Sequence, residues 1–272
     1  KQTPNLQQRV LSAMGGATAK LAQQVKAFAK DVMEDVRKIK GQHMQMVLIM
    51  DSLERLRVTG SDARHCYDGI RQTFDLNGEF LKLEHVHVVY SVPPYLPFLI
   101  PRIGSYYGVE VCSLPHVKVF ETPTSFSLKQ PAVPCAEGQR MMVESVEKRY
   151  PKVAELIPTS MLAELALASS GSMRDYFRLI RSVITKAQVA GAPLPLADGK
   201  FVQLAQQMLR NEMPLTDADK VWLAKVRNTH AAGLDDIANL DQLARLFDSG
   251  VILNYRNGRD WCDVHYLLHD QL

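Results

Sequence analysis

Over residues 6–40 the apolar side chains recur at three- and four-residue steps: Leu6, Val10, Leu11 and Met14, then Leu21, Val25, Phe28, Val32 and Val36. This is the period of an amphipathic helix, and Gly15-Gly16 is expected to divide it into two. At Met46 the period is lost. Met46-Val47-Leu48-Ile49-Met50 is an unbroken apolar run closed by Asp51, which reads as a strand buried on both faces of a parallel sheet. Val86-His87-Val88-Val89-Tyr90 predicts a second strand. A third is expected at Val109-Glu110-Val111 or at residues 116–120. Helical patterns over 62–76 and 94–107 lie between the strands, and this alternation predicts an α/β layer.

Beyond Thr122 the strand signals stop, and Pro123, Pro131 and Pro134 mark a linker. Helical periodicity then predicts helices over 137–150, 160–168, 172–189, 196–210 and 216–229, with another between 234 and 247. Two alternating runs close the chain around Asn257-Gly258, a strong hairpin signal. Helices followed by a hairpin is the order of a winged helix. The alternation in the two runs directs Tyr255 and Trp261 toward the helices.

Of 272 residues, 46% are hydrophobic and 22% charged, ordinary proportions for a globular chain with real cores. The net charge of +3 is too small to imply a dedicated nucleic-acid binder. The four cysteines form no C-x-x-C pair, so a reducing, cytoplasmic setting is expected. Cys262 and His265, with His269 beyond, sit in an apolar-alternating run and read as strand residues rather than metal ligands. No segment approaches the roughly 20 apolar residues of a membrane span, and no signal-peptide pattern is present. The chain begins at Lys1 rather than Met, and is expected to be an engineered segment, a processed product or part of something longer.

Asp51 is the residue this pattern singles out. A parallel strand ending in Asp delivers a carboxylate to the carboxyl edge of the sheet, where open α/β sheets bind their ligands. Asp51-Ser52 reads equally as a helix cap. The second strand ends Tyr90-Ser91-Val92-Pro93, with a small polar side chain at the neighbouring edge position. Farther on, Ser169-Ser170-Gly171-Ser172-Met173-Arg174-Asp175 opens an amphipathic helix. Arg174 falls in its first turn, where the helix dipole disfavours a cation; a bound anion or a neighbouring acid would offset that.

These segments, in this order, resemble the AAA+ superfamily, in particular replication-initiator ATPases and bacterial STAND-type ATP-binding proteins. Leu48-Ile49-Met50-Asp51-Ser52-Leu53-Glu54-Arg55-Leu56 resembles a Walker B strand. Residues 88–92 are similar to a sensor-1 strand, with Ser91 where many relatives carry Asn. Residues 99–108 resemble the segment bearing an arginine finger, and 170–175 resemble sensor 2. The closing hairpin is similar to that of the same bacterial proteins. The resemblance implies part of a P-loop NTPase core over residues 1–124, a helical lid over 125–195 and a winged-helix-like module over 196–272. It also implies ATP and Mg2+ as ligands. Asp51 would serve the magnesium ion, Glu54 would assist water, Ser91 would sense the γ-phosphate and Arg174 would contact phosphate. Tyr106 occupies the expected finger position, which leaves Arg102 as its stand-in.

The chain departs from the family's pattern at two further points. It contains no G-x-x-x-x-G-K-[ST]; Gly15-Gly16-Ala17-Thr18-Ala19-Lys20 has neither the spacing nor a preceding strand. The residue after Asp51 is Ser52 rather than an acid. The implied function is an ATP-binding regulatory switch that works by conformational change or oligomerisation. It would be an ATPase only if a phosphate loop came from outside this chain. The alternative is a degenerate, non-hydrolysing module that binds DNA or protein through its C-terminal part. Self-association or a protein partner is expected. DNA contact would draw on Arg256 and Arg259 at the hairpin tip and on Lys220, Lys225 and Arg227. Packing of the tail is the favoured role, because Asp235, Asp236, Asp241, Asp260 and Asp263 interrupt that basic surface.

Overall fold

A computed structural model describes residues 4–51, 63–124, 131–233, 239–257 and 259–272. The architecture is mixed α/β, mainly helical, with one parallel and one antiparallel pair of strands. The chain divides into two compact units, 1–112 and 113–272. Among the described residues no helix is long and apolar enough to cross a membrane.

The first unit opens with α1 (Pro4–Lys40), a single helix of 37 residues. It runs through Gly15-Gly16 without the expected break. Two interior glycines cost about 1 kcal/mol each, which the long helical stretches on either side outweigh. Ala29 and Met33 are buried, whereas Leu21, Val25 and Phe28 are exposed. Arg37, Lys38 and Lys40 in the last turn suit the negative end of the helix dipole.

Two strands follow, β1 (Val47–Met50) and β2 (His87–Tyr90), parallel and in register from Val47 opposite His87 to Met50 opposite Tyr90. Between them lie α2 (Ala63–Asp75) and α3 (Gly78–Leu81). Phe74 of α2 meets the Tyr90 ring edge-on at 6.1 Å, and the Tyr90 hydroxyl donates to the Leu81 carbonyl. The predicted helix over 94–107 is two short ones, α4 (Leu96–Leu99) and α5 (Ile103–Tyr107). Pro101 separates them, because a proline disfavours helical geometry at the residue before it.

Two further sequence expectations fail. The Met46–Met50 run is not buried on both faces: Val47, Leu48, Ile49 and Met50 are 57%, 41%, 68% and 41% exposed. Among the described residues no layer covers either face of β1. The expected third strand is not found among the described residues either. Residues 116–120 are extended, but they belong to the second unit and are held there by other partners. Val117 N–H donates to the Gly171 carbonyl, His116 N–H to Asn254, and Cys135 N–H to Val119. The only ladder contact they make among the described residues is the single bridge of Phe120 to Pro134.

The second unit packs α6 (Ala136–Arg149), α7 (Thr159–Ala168), α8 (Met173–Val189) and α9 (Lys200–Asn211) each against the next. Met142, Leu162, Leu165, Tyr176, Leu179, Val183 and Val202 fill the core between them. Each helix buries one stripe, as the three-and-four spacing predicts. After these come α10 (Asp217–Thr229) and α11 (Leu240–Asp248), then the hairpin of β3 (Ile252–Asn257) and β4 (Arg259–Val264). A closing 3-10 segment, Tyr266–Gln271, packs on α7 and α9. α10 begins with a capping box: the Thr216 hydroxyl accepts from Asp219 N–H while the Asp219 carboxylate accepts from Thr216 N–H.

Candidate functional site

Asp51 and Ser91 are neighbours because β1 and β2 run parallel and in register. The last ladder pair is Met50 with Tyr90, and the next residue of each strand is Asp51 and Ser91. Ser91 N–H donates to the Met50 carbonyl at 3.1 Å, which carries the ladder one step past the strands. Asp51 is exposed and Ser91 half-buried. The carboxyl edge of this sheet therefore offers one carboxylate beside one hydroxyl, both oxygen donors of the kind a hard divalent cation accepts. Glu54, the expected helper for water, lies outside the described residues. Among the described residues no group of three or more His, Cys, Asp or Glu side chains is assembled for a metal.

Arg102 and Tyr106 lie on the same unit, Arg102 immediately before α5 and exposed, Tyr106 within it and exposed. An open groove of about 470 Å3 runs alongside, lined by Pro97, Pro101, Ile103, Gly104, Ser105, Gly108, Val109, Glu110 and Val111. Its walls are largely apolar, its charged side chain is acidic, and neither Asp51 nor Ser91 lines it. Behind the sheet, the Tyr107 hydroxyl donates to the Phe74 carbonyl. Burial, with the neighbouring Tyr90 and Glu79, pushes the Tyr107 hydroxyl up to about 12. Tyr107 is a structural hydrogen-bond donor, not an acid.

Arg174 belongs to the second unit, as the second residue of α8. The turn before it is built tightly. Ser170 and Gly171 both take left-handed backbone angles, at φ 53° and 79°. The Ser170 hydroxyl accepts from Tyr266 N–H, and its carbonyl accepts from the Tyr255 hydroxyl. Gly171 approaches Val117 so closely that a Cβ there would lie 1.9 Å from the Val117 carbonyl oxygen. Ser172 caps α8 by accepting from Asp175 N–H. Asp175 pairs with Arg178 at 3.2 Å rather than with Arg174, and Arg174 is exposed, with no ion pair among the described residues. Ser170 thus joins this turn to the hairpin, Gly171 meets the extended segment at Val117, and Ser172 caps α8. Arg174 is the member left facing solvent.

In the tail, Tyr255 and Trp261 are buried and stacked, with ring centroids 4.5 Å apart, as directly opposed partners of the hairpin. Arg256 is exposed and paired with Asp260 at 3.1 Å; Arg259 is exposed. Arg227, counted from the sequence among the basic residues open to phosphate, is not open. Its guanidinium is buried and donates to both oxygens of Asp263, at 2.7 and 3.0 Å. Lys220 is tied to Asp217 at 3.1 Å. The basic surface of the tail is smaller than its composition suggested.

Two polar clusters are buried in the second unit. Asp219, fully buried in its side chain, accepts from Thr216, Gln242 and Arg245. Burial acts to raise its pKa, but the bonds from Thr216 and Gln242 together with Arg245 hold it below the usual carboxylate range. Thr216-Asp-Ala-Asp219 was a readable helix-start signal; its long-range partners were not. Asp263 sits between Arg227 and the buried His230 ring, 3.8 Å from Nδ1. Burial, the first cause, lowers the His230 pKa, Arg227 adds to that, and Asp263 opposes it.

Comparison with protein-family models, with curated proteins and with solved structures returns no match.

Proposed function

We propose that this chain carries part of the nucleotide site of a regulatory ATP-binding switch of the AAA+/STAND kind. In this reading Asp51 holds Mg2+ and Ser91 lies beside the terminal phosphate. Arg102 stands in for a finger. The observation that carries it is the parallel, in-register pairing that sets Asp51 and Ser91 side by side at one carboxyl edge. A strand-end carboxylate there is what metal–phosphate binding needs. The solvent-facing Arg174 and the helix-then-hairpin order of the tail are consistent with a lid and a winged-helix-like module. Glu54 remains the proposed helper of water.

The reading also sets a limit on affinity. Most phosphate binding in P-loop proteins comes from backbone amides and a lysine in a loop that this sequence lacks. The isolated chain is therefore expected to bind Mg-ATP at about millimolar strength, near −4 kcal/mol. Calorimetric titration checks this. Binding should require Mg2+ and be lost on Asp51→Asn. Micromolar affinity, or weak affinity indifferent to Asp51, would overturn the reading.

A further inference from the structure

We infer that the second unit binds single-stranded nucleic acid, on the face that α8 and the last turn of α6 build around Phe177. Charge pairing picks out this face. From Lys118 to Arg256, most cations of the unit are matched to a carboxylate. Lys148, Arg149, Arg174, Arg181 and Lys186 form no ion pair among the described residues, and all five lie in the last turn of α6 or on α8. Helix dipoles account for Lys148, Arg149 and Lys186, each near a C-terminal end. They do not account for Arg174 in the first turn of α8 or for Arg181 in its middle. The chain's net charge of +3 is small, but pairing elsewhere leaves unpaired cations concentrated here.

The face has a flat centre. Arg174, Phe177 and Arg181 share one side of α8 at three- and four-residue steps. The exposed Arg149 lays its guanidinium over the half-buried Phe177 ring, 4.9 Å from the centroid. Arg174 and Arg181 are exposed, one on either side of Phe177 and about 10 Å apart along the helix axis. Of the acids along this stretch, Asp175 and Glu212 are held by Arg178, Glu144 is held by Arg140, and Glu147 lies near the buried Tyr176 hydroxyl. Arginine forks match phosphate, and a stacked guanidinium and ring offer a base a platform; together these hold single strands without reading sequence. A duplex keeps its bases inside the stack, and an acidic peptide would use the arginines but not the platform. The tail is the poorer surface, because Arg256 and Lys220 are tied to Asp260 and Asp217. The inference does not rest on the nucleotide reading and is tested without ATP.

Fluorescence anisotropy of a labelled oligothymidylate of about 12 nucleotides, a length within the usual single-strand site sizes, is followed as the 272-residue chain is added at several salt concentrations. Three phosphate contacts, from Arg149, Arg174 and Arg181, predict a salt slope of about −2. Arg174→Ala with Arg181→Ala should weaken binding about tenfold or more and flatten the slope by about 1.4. Phe177→Leu, which keeps an apolar side chain, should weaken binding about tenfold and leave the slope unchanged. Lys220→Ala with Arg256→Ala should leave the affinity as it is. Circular dichroism checks that each variant keeps its fold; if the Phe177 variant does not, the surface arginine pair still decides the case. Unlabelled oligothymidylate should displace the probe far better than oligoglutamate of equal length or a duplex of the same length. No binding at low salt, binding indifferent to the arginine pair or to a folded Phe177→Leu variant, or equal displacement by oligoglutamate or duplex would overturn the proposal.

Discussion

Arg227 and Asp263 show how far a single residue's role depends on a partner distant in sequence. The pair is nearly dry, and each charge is tolerated there only because the other is present. Arg227→Ala should therefore destabilise the chain by about 3–5 kcal/mol, since it strands a buried carboxylate. Urea unfolding at neutral pH checks this, and a loss below about 1 kcal/mol would place the pair with ordinary surface bridges. His265 makes a separate prediction about pH. It is fully buried beside the tail, its Nδ1 accepts from Leu267 N–H, and its Nε2 has no hydrogen-bond partner among the described residues. Burial first, then His269 and His116, lowers its pKa to about 3. The unfolded chain, with the ordinary value near 6.5, thus binds the proton that the folded chain refuses. The stability due to neutral His265 is complete above about pH 6.5 and declines as the pH falls toward 3, by up to about 1.4 kcal/mol per unit. Burial also lowers the pKa of His116 and His230, so their contributions have the same sign. The urea midpoint should be lower at pH 5.5 than at 7.5, a range in which ordinary carboxylates stay ionised. An unchanged midpoint would contradict the burial of these rings.

Among the elements, the extended segment 116–120 does what the sequence assigned to a third strand, but for a different partner. Its apolar alternation was legible; its destination was not, because hydrogen bonds to Gly171, Asn254 and the 133–135 stretch lie many residues away. Gly171 is where this docking is tightest. Its φ of 79° and the 1.9 Å approach to Val117 leave no room for a Cβ, so Gly171→Ala should cost about 1–3 kcal/mol and lower the thermal midpoint. An unchanged midpoint would mean that the segment does not rest on the α7–α8 turn. Most helices were readable to within a few residues, because each buries a stripe at the expected spacing. The break at Gly15-Gly16 was misjudged, since local glycine propensity is a weak term inside a long helix. At the candidate site, the adjacency of Asp51 and Ser91 was legible because strand ends in a parallel pair follow directly from where the apolar runs stop. The role of Ser170 as a clasp for Tyr255 and Tyr266 was not, since nothing local marks it. Burial of Arg227 was likewise hidden, because a helical arginine looks the same whether it faces solvent or a carboxylate 36 residues on.

For the whole molecule, the contrast is between a second unit of packed helices with a buried core and a first unit in which, among the described residues, the apolar side chains of β1 are exposed. A two-stranded parallel pair with exposed apolar faces is unusual, because parallel sheets are normally buried on both sides. The first unit therefore carries a chemically suggestive edge at Asp51 and Ser91. The nucleotide reading concerns that edge, and it predicts where a metal would sit. The most direct measurement replaces Mg2+ with paramagnetic Mn2+ in the presence of ATP and follows the broadening of backbone amide resonances. The account predicts that the amides of Asp51 and Ser91 broaden first and that Asp51→Asn removes the effect. Broadening centred elsewhere, or undiminished in the Asp51→Asn variant, would contradict it.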